Sequence, residues 1–381
     1  MTPRIHLALV DDWELWGDGS GDMAKIQFEP LLRLLEIYEA NGLKASINAE
    51  VMQQLSHRQH AVRYVQLGRL ADRWDDLVLE TVRRGHDVQL HTHCQWSRSE
   101  FDGERWQLSG DWNITNYPRA QAAEMVARSK EYLETLVRRV DPAYSVSTYR
   151  AGSWAIAPSD HMMDVLVANQ VAVDISIVAG MRIANAKVSV DYSTVEEGFL
   201  PFYPVPTDAR QVSADKQPII CVPTFSFVVS LPFYVALGAT HVVTGLLARA
   251  GLDWTHLTRK PSGVPLDTRV AAYGIWARER QSLAKRILAK LTAENRFYIA
   301  DLSEMSGLLW RQMIQEIRRK AEKAGQALIP VVLENHTKDL GDIRNIRFFA
   351  EYLARQSDIE VVRLRDIAAN LHAGLYPVRT N

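Results

Sequence analysis

The chain contains very few cysteines and carries almost no net charge. Its 381 residues include two cysteines, Cys94 and Cys221, and its formal net charge is −1. Two cysteines do not make a disulfide framework, which excludes the class of small cross-linked secreted domains. A near-zero net charge gives no electrostatic reason to expect nucleic acid as a partner. Hydrophobic residues make up 47% of the chain, and a chain of this length can bury a sizeable core.

The sequence also lacks a glycine-rich phosphate-binding loop after any apolar run, which counts against a nucleotide site of either common type. It has no internal repeat and no low-complexity linker, so we expect residues 1–381 to form a single domain.

The first residues of the chain, MTPRIHLALVDD, place one basic residue before a short apolar run. This pattern predicts a first strand and not a secretion signal, so we expect a cytoplasmic protein.

Charged residues are missing from one long stretch. Residues 217–248 contain no Asp, Glu, Lys or Arg, and prolines at 218, 223 and 232 interrupt them. Because the prolines argue against a clean spanning helix, we expect no transmembrane segment. We expect instead a buried strand, IICV, and a core helix after Pro232. The alternative is an apolar surface over 217–248 that contacts a membrane or a lipid-linked substrate.

Apolar strands and periodic helices alternate along the chain. The predicted strands are IHLALV, KASINA, DVQLH, SVSTYR, VAVDISI, IICV, FYIA, IPVVLE and IEVVRL. The predicted helices are 28–41, 74–84, 120–140, one from Pro158, 278–291, 304–324 and 343–356. This alternation predicts an α/β fold with a parallel sheet, and the number of units favours a (β/α) barrel. We expect long loops near 97–117 and 183–217 over its mouth.

Ionisable residues stand where the predicted strands end. In a parallel barrel these ends meet at one mouth, where the chemistry takes place. The clusters are Asp11-Asp12-Trp13-Glu14, His91-Thr92-His93, Tyr149–Trp154, Asp174 and Glu334–Lys338. Each has an ordinary structural alternative, such as turn capping for the aspartates or core packing for His336. Their joint occurrence at one edge favours a functional site.

The stretch GHDVQLHTHCQW places His91 and His93 two residues apart. In an extended segment, side chains at i and i+2 point the same way, so the two imidazoles project together. With Asp12 they make a hydrolytic site of the zinc type, with positions open to water and substrate.

The neighbouring residues supply candidates for proton transfer at such a site. Asp11, adjacent to Asp12, would take the proton from the attacking water, and Arg150 would hold Asp11 ionised and oriented. His336, from the opposite side of the barrel, would protonate the leaving amine.

These motifs resemble the polysaccharide deacetylase family, carbohydrate esterase family 4. LVDDWE, GHDVQLHTHCQW, YRAGSW and LENH occur in the order of the family's motifs. The resemblance implies a distorted (β/α) barrel of about seven parallel strands that removes N-acetyl groups from amino sugars. It implies Asp11 as the general base, Asp12 as a metal ligand, Arg150 as the residue that orients the base, and His336 as the general acid.

The resemblance also implies supporting residues. Backbone N–H groups near Ser153 and Trp154 would stabilise the oxyanion, and Asp174 is the candidate for the aspartate that tunes the catalytic histidine. The family's two metal histidines stand four apart, but the residue four after His91 is Gln95. Either His93 or Gln95 therefore completes the metal site, and His93 is favoured because amides bind zinc poorly.

We therefore expect a metal-dependent hydrolase that removes an N-acetyl or other N-acyl group from an amino sugar, in glycan or cell-surface polysaccharide biosynthesis. Its cofactor would be one divalent transition metal, zinc first and cobalt or nickel as alternatives. Its partner would be a glycan or an activated sugar precursor. Two other classes remain open. One is a non-catalytic carbohydrate-binding barrel without a metal, and the other is a metal-free glycosidase that uses Asp11 and Glu334.

Overall fold

The computed structural model describes residues 3–195, 199–261 and 296–381. The predicted helix at 278–291 lies outside these residues. The strands are β1 (Arg4–Trp13), β2 (Ser46–Glu50), β3 (Asp87–Thr92), β4 (Ser99–Phe101), β5 (Trp106–Leu108), β6 (Thr148–Ala151), β7 (Val173–Asp174), β8 (Arg182–Ala184), β9 (Ser189–Asp191), β10 (Pro204–Val205), β11 (Asp208–Val212), β12 (Ile220–Cys221), β13 (Ser226–Val228), β14 (Phe297–Ile299), β15 (Leu328–His336) and β16 (Ile359–Val361).

The helices are α1 (Glu29–Ala40), α2 (Val51–His60), α3 (Val65–Arg83), α4 (Arg119–Val137), α5 (Met162–Ala168), α6 (Leu231–Arg249), α7 (Gly307–Ala324), α8 (Arg344–Leu353) and α9 (Leu364–His372). A π-helical turn, Ala24–Phe28, precedes α1. The predicted helices at 28–41, 74–84, 120–140, 304–324 and 343–356 overlap α1, α3, α4, α7 and α8. The polar helix α2 was not predicted, because its sequence has little apolar periodicity.

The main sheet is parallel and curled. Its order is β12-β7-β6-β3-β2-β1-β15, and β16 pairs with the first half of β1. Its two edges meet where Thr224, just after β12, bridges Val332 of β15, and the Phe225 amide donates to the Val332 carbonyl at 2.8 Å. The predicted distorted (β/α) barrel of about seven parallel strands is confirmed.

Alternate residues of β1 face opposite sides of the sheet, as the two-residue period of a strand requires. Leu7 and Leu9 pack in one apolar cluster with Tyr38 of α1. Ala8 and Val10 lie in a different cluster, which fills the barrel between the strands and α9. The next residue on the inner row is Asp12, so the barrel interior changes from apolar to ionisable at this level.

The two long loops carry antiparallel strand pairs. β4 and β5 pair within the first loop, and β8–β9 and β10–β11 pair within the second. The loops meet where the Asn113 side-chain amide donates to the Ser189 carbonyl at 3.2 Å.

The expectation of a core helix after Pro232 was wrong. α6 forms there, but Thr244 is its one buried residue. Phe233 and Tyr234 at its start pack partly against the core, but four apolar residues further along, Val235, Val242, Val243 and Leu246, are exposed. Hydrophobicity in this helix therefore does not indicate burial.

Candidate metal centre

Glu14, His91 and His93 converge at the mouth of the barrel. One ligand atom from each lies within 4.8 Å of the others, and all three side chains are buried. His91 Nε2 lies 3.0 Å from Glu14 Oε2, and His93 Nε2 contacts the same oxygen. Glu14 directly follows β1, while His91 lies on β3 and His93 directly follows it. The ends of two strands therefore supply the cluster, which is a candidate site for a divalent metal.

A backbone carbonyl orients the His91 imidazole, and a carboxylate holds the backbone of His93. His91 Nδ1 lies 2.9 Å from the Arg150 carbonyl, which can only accept, so this nitrogen carries the proton and leaves Nε2 for a ligand. The Glu50 carboxylate accepts from the His93 amide at 2.6 Å and from the Gln53 amide at 3.0 Å, which caps α2. Glu50 therefore fixes the backbone of His93 relative to α2.

Gln95 lies behind His93, away from Glu14. Its Nε2 lies 2.9 Å from His93 Nδ1 and donates to the Gly17 carbonyl at 3.1 Å. Of the two residues that the sequence left open, the structure brings His93 into the Glu14 cluster and places Gln95 in contact with the far nitrogen of His93.

Lys338 completes the surroundings of Glu14. Its ammonium donates to Glu14 Oε1, while Oε2 faces the histidines. Burial by itself raises the pKa of Glu14, but His93 and Lys338 outweigh it and hold that pKa well below its usual range. Glu14 therefore stays ionised, as a carboxylate that binds a metal must be.

Asp12 lies on the same inner face of β1 and connects the cluster to Arg150 and His336. Its Oδ1 accepts from Asn48 Nδ2 at 2.8 Å. Its Oδ2 lies 3.6 Å from Arg150 Nε and 3.8 Å from His336 Nε2. Burial raises the pKa of Asp12, but the charges of Arg150 and His91 lower it more, so the carboxylate is ionised.

Asp11 lies on the other face of β1. It continues the outer row of Leu7 and Leu9, and its Oδ1 accepts from Asn335 Nδ2 at 2.6 Å. Burial raises the pKa of Asp11 well above its usual range. The structure therefore does not bring Asp11 together with Arg150, which contacts Asp12 instead.

His336 is paired with an aspartate that follows β14. His336 Nδ1 lies 2.8 Å from Asp301 Oδ2. Burial lowers the pKa of His336, but the charge and hydrogen bond of Asp301 raise it to about 10. Asp174, the sequence candidate for this partner, hydrogen-bonds to Ser176 at 2.6 Å and contacts Cys221.

Glu334 lies on the inner face of β15, beside Arg150. Its Oε2 accepts from Trp154 Nε1 at 3.0 Å and lies 3.2 Å from Arg150 Nη1. Burial raises the pKa of Glu334 to about 7, although Arg150 opposes this. Glu334 and Asp11 lie on opposite faces of the sheet.

The turn after β6 is strained. Ser153 and Trp154 have φ of 54° and 57°, a left-handed conformation that costs non-glycine residues roughly 1–3 kcal/mol each. Tyr192 donates to the Trp154 carbonyl, and the Trp154 ring lies 5.9 Å from that of His336. The preceding Gly152 has no room for a side chain, because a Cβ there would meet His93 at 2.8 Å.

Neither a family model nor a curated protein matches the sequence. Solved structures do match. A structure described as a polysaccharide deacetylase from Mycobacterium smegmatis is 14% identical, with a TM-score of 0.53 over 100% of this chain and 94% of its own. Another from Pseudomonas aeruginosa PAO1, also described as a polysaccharide deacetylase, is 12% identical, with a TM-score of 0.50 over 97% of this chain and 92% of its own.

The chain has the fold of the polysaccharide deacetylases. The resemblance seen in the sequence motifs is confirmed at the level of this fold, along the full length of the chain. Identities of 12–14% show the deacetylase fold and leave the substrate open.

Sequence reasoning missed three residues of this site. Glu14 and Lys338 stood in the quoted strand ends without a role, and Asp301 directly follows the strand FYIA. The spacing of Asp12 and Glu14 is the same two-residue step as that of His91 and His93, so the sequence did contain a signal for Glu14.

Proposed function

We propose that this protein is a metal-dependent hydrolase that removes an N-acyl group, an N-acetyl group first, from an amino sugar. The observation that carries the proposal is the convergence of Glu14, His91 and His93 beside Asp12 and His336. The deacetylase fold supports it, because that fold places these strand ends at one mouth.

The donor set fits a catalytic metal. Two imidazole nitrogens and one carboxylate oxygen, with positions left open, are a known catalytic zinc set, and cobalt or nickel would suit it too. His91 donates a hydrogen bond from Nδ1–H to the Arg150 carbonyl, and Lys338 donates to the second oxygen of Glu14. Such outer contacts orient metal ligands. A bound ion would lower the pKa of a water and polarise the acyl carbonyl.

Asp12 is the general base in this proposal, and Glu14 takes the place of the metal carboxylate. Asp12 lies on the inner face of β1 and Glu14 follows just beyond the end of that strand, whereas Asp11 lies on the outer face. Arg150, 3.6 Å from Asp12, keeps that carboxylate ionised and ready to accept a proton from water. The roles implied for Asp11 and Asp12 by the sequence motif therefore move to Asp12 and Glu14.

His336 is the general acid. With a pKa raised to about 10, its imidazole is protonated at neutral pH and can give a proton to the leaving amine. Asp301 holds Nδ1, so Nε2 faces Asp12 and the substrate side. The turn at Ser153 and Trp154 remains the predicted source of the oxyanion N–H groups.

We propose a glycan or an activated amino-sugar precursor as substrate, and a cytoplasmic location. The experiment is a metal and acyl-release assay. The purified protein is analysed by elemental mass spectrometry and then assayed for acetate release from N-acetylglucosamine oligomers and from a nucleotide-linked N-acetyl sugar. The assay is repeated after chelation, after zinc return and on a His91→Ala/His93→Ala variant.

We expect near-stoichiometric metal in the native protein and its loss in the variant, with activity that follows the metal. A native protein that binds no added zinc, cobalt or nickel would favour the carbohydrate-binding barrel instead. Cleaved glycosidic bonds without released acetate would favour the glycosidase.

A further inference from the structure

We propose that α6 is a membrane-docking surface that lies in the interface of a lipid bilayer. This inference concerns a surface and not the chemistry of the barrel mouth, so it stands or falls separately from the proposed hydrolase activity. The helix has 19 residues, and Thr244 is the buried one.

The exposed apolar residues of α6 form one stripe. Val235, Val242, Val243 and Leu246 are exposed at 57%, 62%, 53% and 57%. Their separations of seven, eight and eleven residues put them on one face of a helix. Thr244 lies on the other side and hydrogen-bonds to Thr258 at 2.9 Å, so the helix turns its polar contact inward and its apolar stripe outward.

Both ends of α6 are fixed to the same protein body. Before the helix, the Val229 amide donates to the Arg296 carbonyl at 3.0 Å, next to the β13–β14 pair. After it, Asp253 pairs with Arg344 of α8 at 2.8 Å, and Asn345 donates to the Arg259 carbonyl at 3.0 Å. A helix held at both ends by one body lies along a bilayer and does not cross it.

The amino-acid composition around α6 favours lipid as the partner of this surface. No charged residue occurs in 217–248, and a helix of this length presents an apolar edge of about 28 Å. A polar protein partner would leave such a surface unmatched. Trp254 is 56% exposed just beyond the helix, and Arg249 ends it, a pairing of aromatic and cation that suits the headgroup region.

The test is flotation of the full chain with vesicles of phosphatidylcholine, with and without phosphatidylglycerol. The test variant is Val242→Glu/Leu246→Glu. The matched control is Val62→Glu/Val65→Glu, which adds the same charge at two apolar residues exposed at 95% and 66% elsewhere on the body. Circular dichroism and melting temperature check that all three proteins are folded, and sedimentation reports their association state.

We expect the native protein and the control to float with vesicles, and the partition coefficient of the α6 variant to fall about 100-fold. Stronger flotation with phosphatidylglycerol would agree with the role given to Arg249. The proposal is overturned if the native protein stays in the aqueous fraction with both vesicle types, or if all three proteins float equally. A native dimer that the α6 variant dissociates, without vesicle binding, would assign the stripe to a second copy and also overturn it.

Discussion

Asp11 and Asp12 are adjacent in the chain but lie on opposite faces of β1. Asp11 accepts a hydrogen bond from Asn335 among the packed outer residues, whereas Asp12 faces Arg150 and His336 inside the barrel. The same geometry puts Glu14, two residues after Asp12, on the inner row with the histidines. The C-terminal end of β1 and the residue that follows it therefore supply the proposed base and the proposed metal carboxylate.

The variants Asp11→Asn and Asp12→Asn test which of the two aspartates is the general base. Asp12→Asn removes the ionised acceptor, so we expect kcat to fall by about 10²–10⁴-fold while the metal stays bound. Asp11→Asn keeps its hydrogen-bonding capacity on the outer face, so kcat should change less than about tenfold. Single-turnover rates and metal content, measured on both proteins, check this. An inactive Asp11→Asn protein beside an active Asp12→Asn protein would restore the original assignment.

Glu14→Ala and Gln95→Ala separate a metal ligand from its support. Loss of Glu14 should lower zinc affinity by more than about 100-fold, because it removes a donor. Loss of Gln95 should lower it by about tenfold, because Gln95 only contacts His93 Nδ1. Competition with a chromogenic chelator measures both constants. A larger effect at Gln95 than at Glu14 would mean that the amide belongs to the ligand set.

The fold was predictable because apolar strands and helices alternate along the chain, and β1, β3 and β15 appeared at the expected positions. The sequence did not predict which way Asp11 and Asp12 point, because the apolar run IHLALV ends at Val10 and gives no strand period beyond it. The strand in fact runs to Trp13, so its two-residue period decides which aspartate points inward. The Asp301–His336 pair was missed because only the folded barrel brings Asp301, just after β14, beside β15.

Asp301→Asn should lower the pKa of His336. Its pKa of about 10 depends mainly on the charge and hydrogen bond of Asp301 acting against burial, so without that charge burial would lower it. NMR titration of the His336 imidazole, together with the basic limb of the kcat/KM profile, would show the shift. Asp174→Asn is the matched control and should leave both unchanged. If it moves the His336 titration instead, Asp174 is the tuning residue.

The same pair makes stability depend on pH. The folded pKa of His336 is raised above the unfolded value near 6.5, so its contribution is fully present below pH 6.5 and declines as pH rises through about 10. The pKa of Asp301 is lowered despite its burial, so its contribution is present above about pH 4 and is lost on acidification.

Urea unfolding at pH 6 and pH 9 tests this dependence. It is measured on the native protein and on His336→Gln, with any metal removed from both by a chelator. The free energy of unfolding of the native protein exceeds that of His336→Gln, and this difference should shrink at the higher pH. The decrease is at most about 1.4 kcal/mol per pH unit above 6.5. Chelation is needed because a metal that binds only the folded state would add its own pH dependence. If the difference in free energy of unfolding between the two proteins is the same at pH 6 and pH 9, His336 does not carry a raised pKa in the folded protein. Its assignment as general acid would then fail.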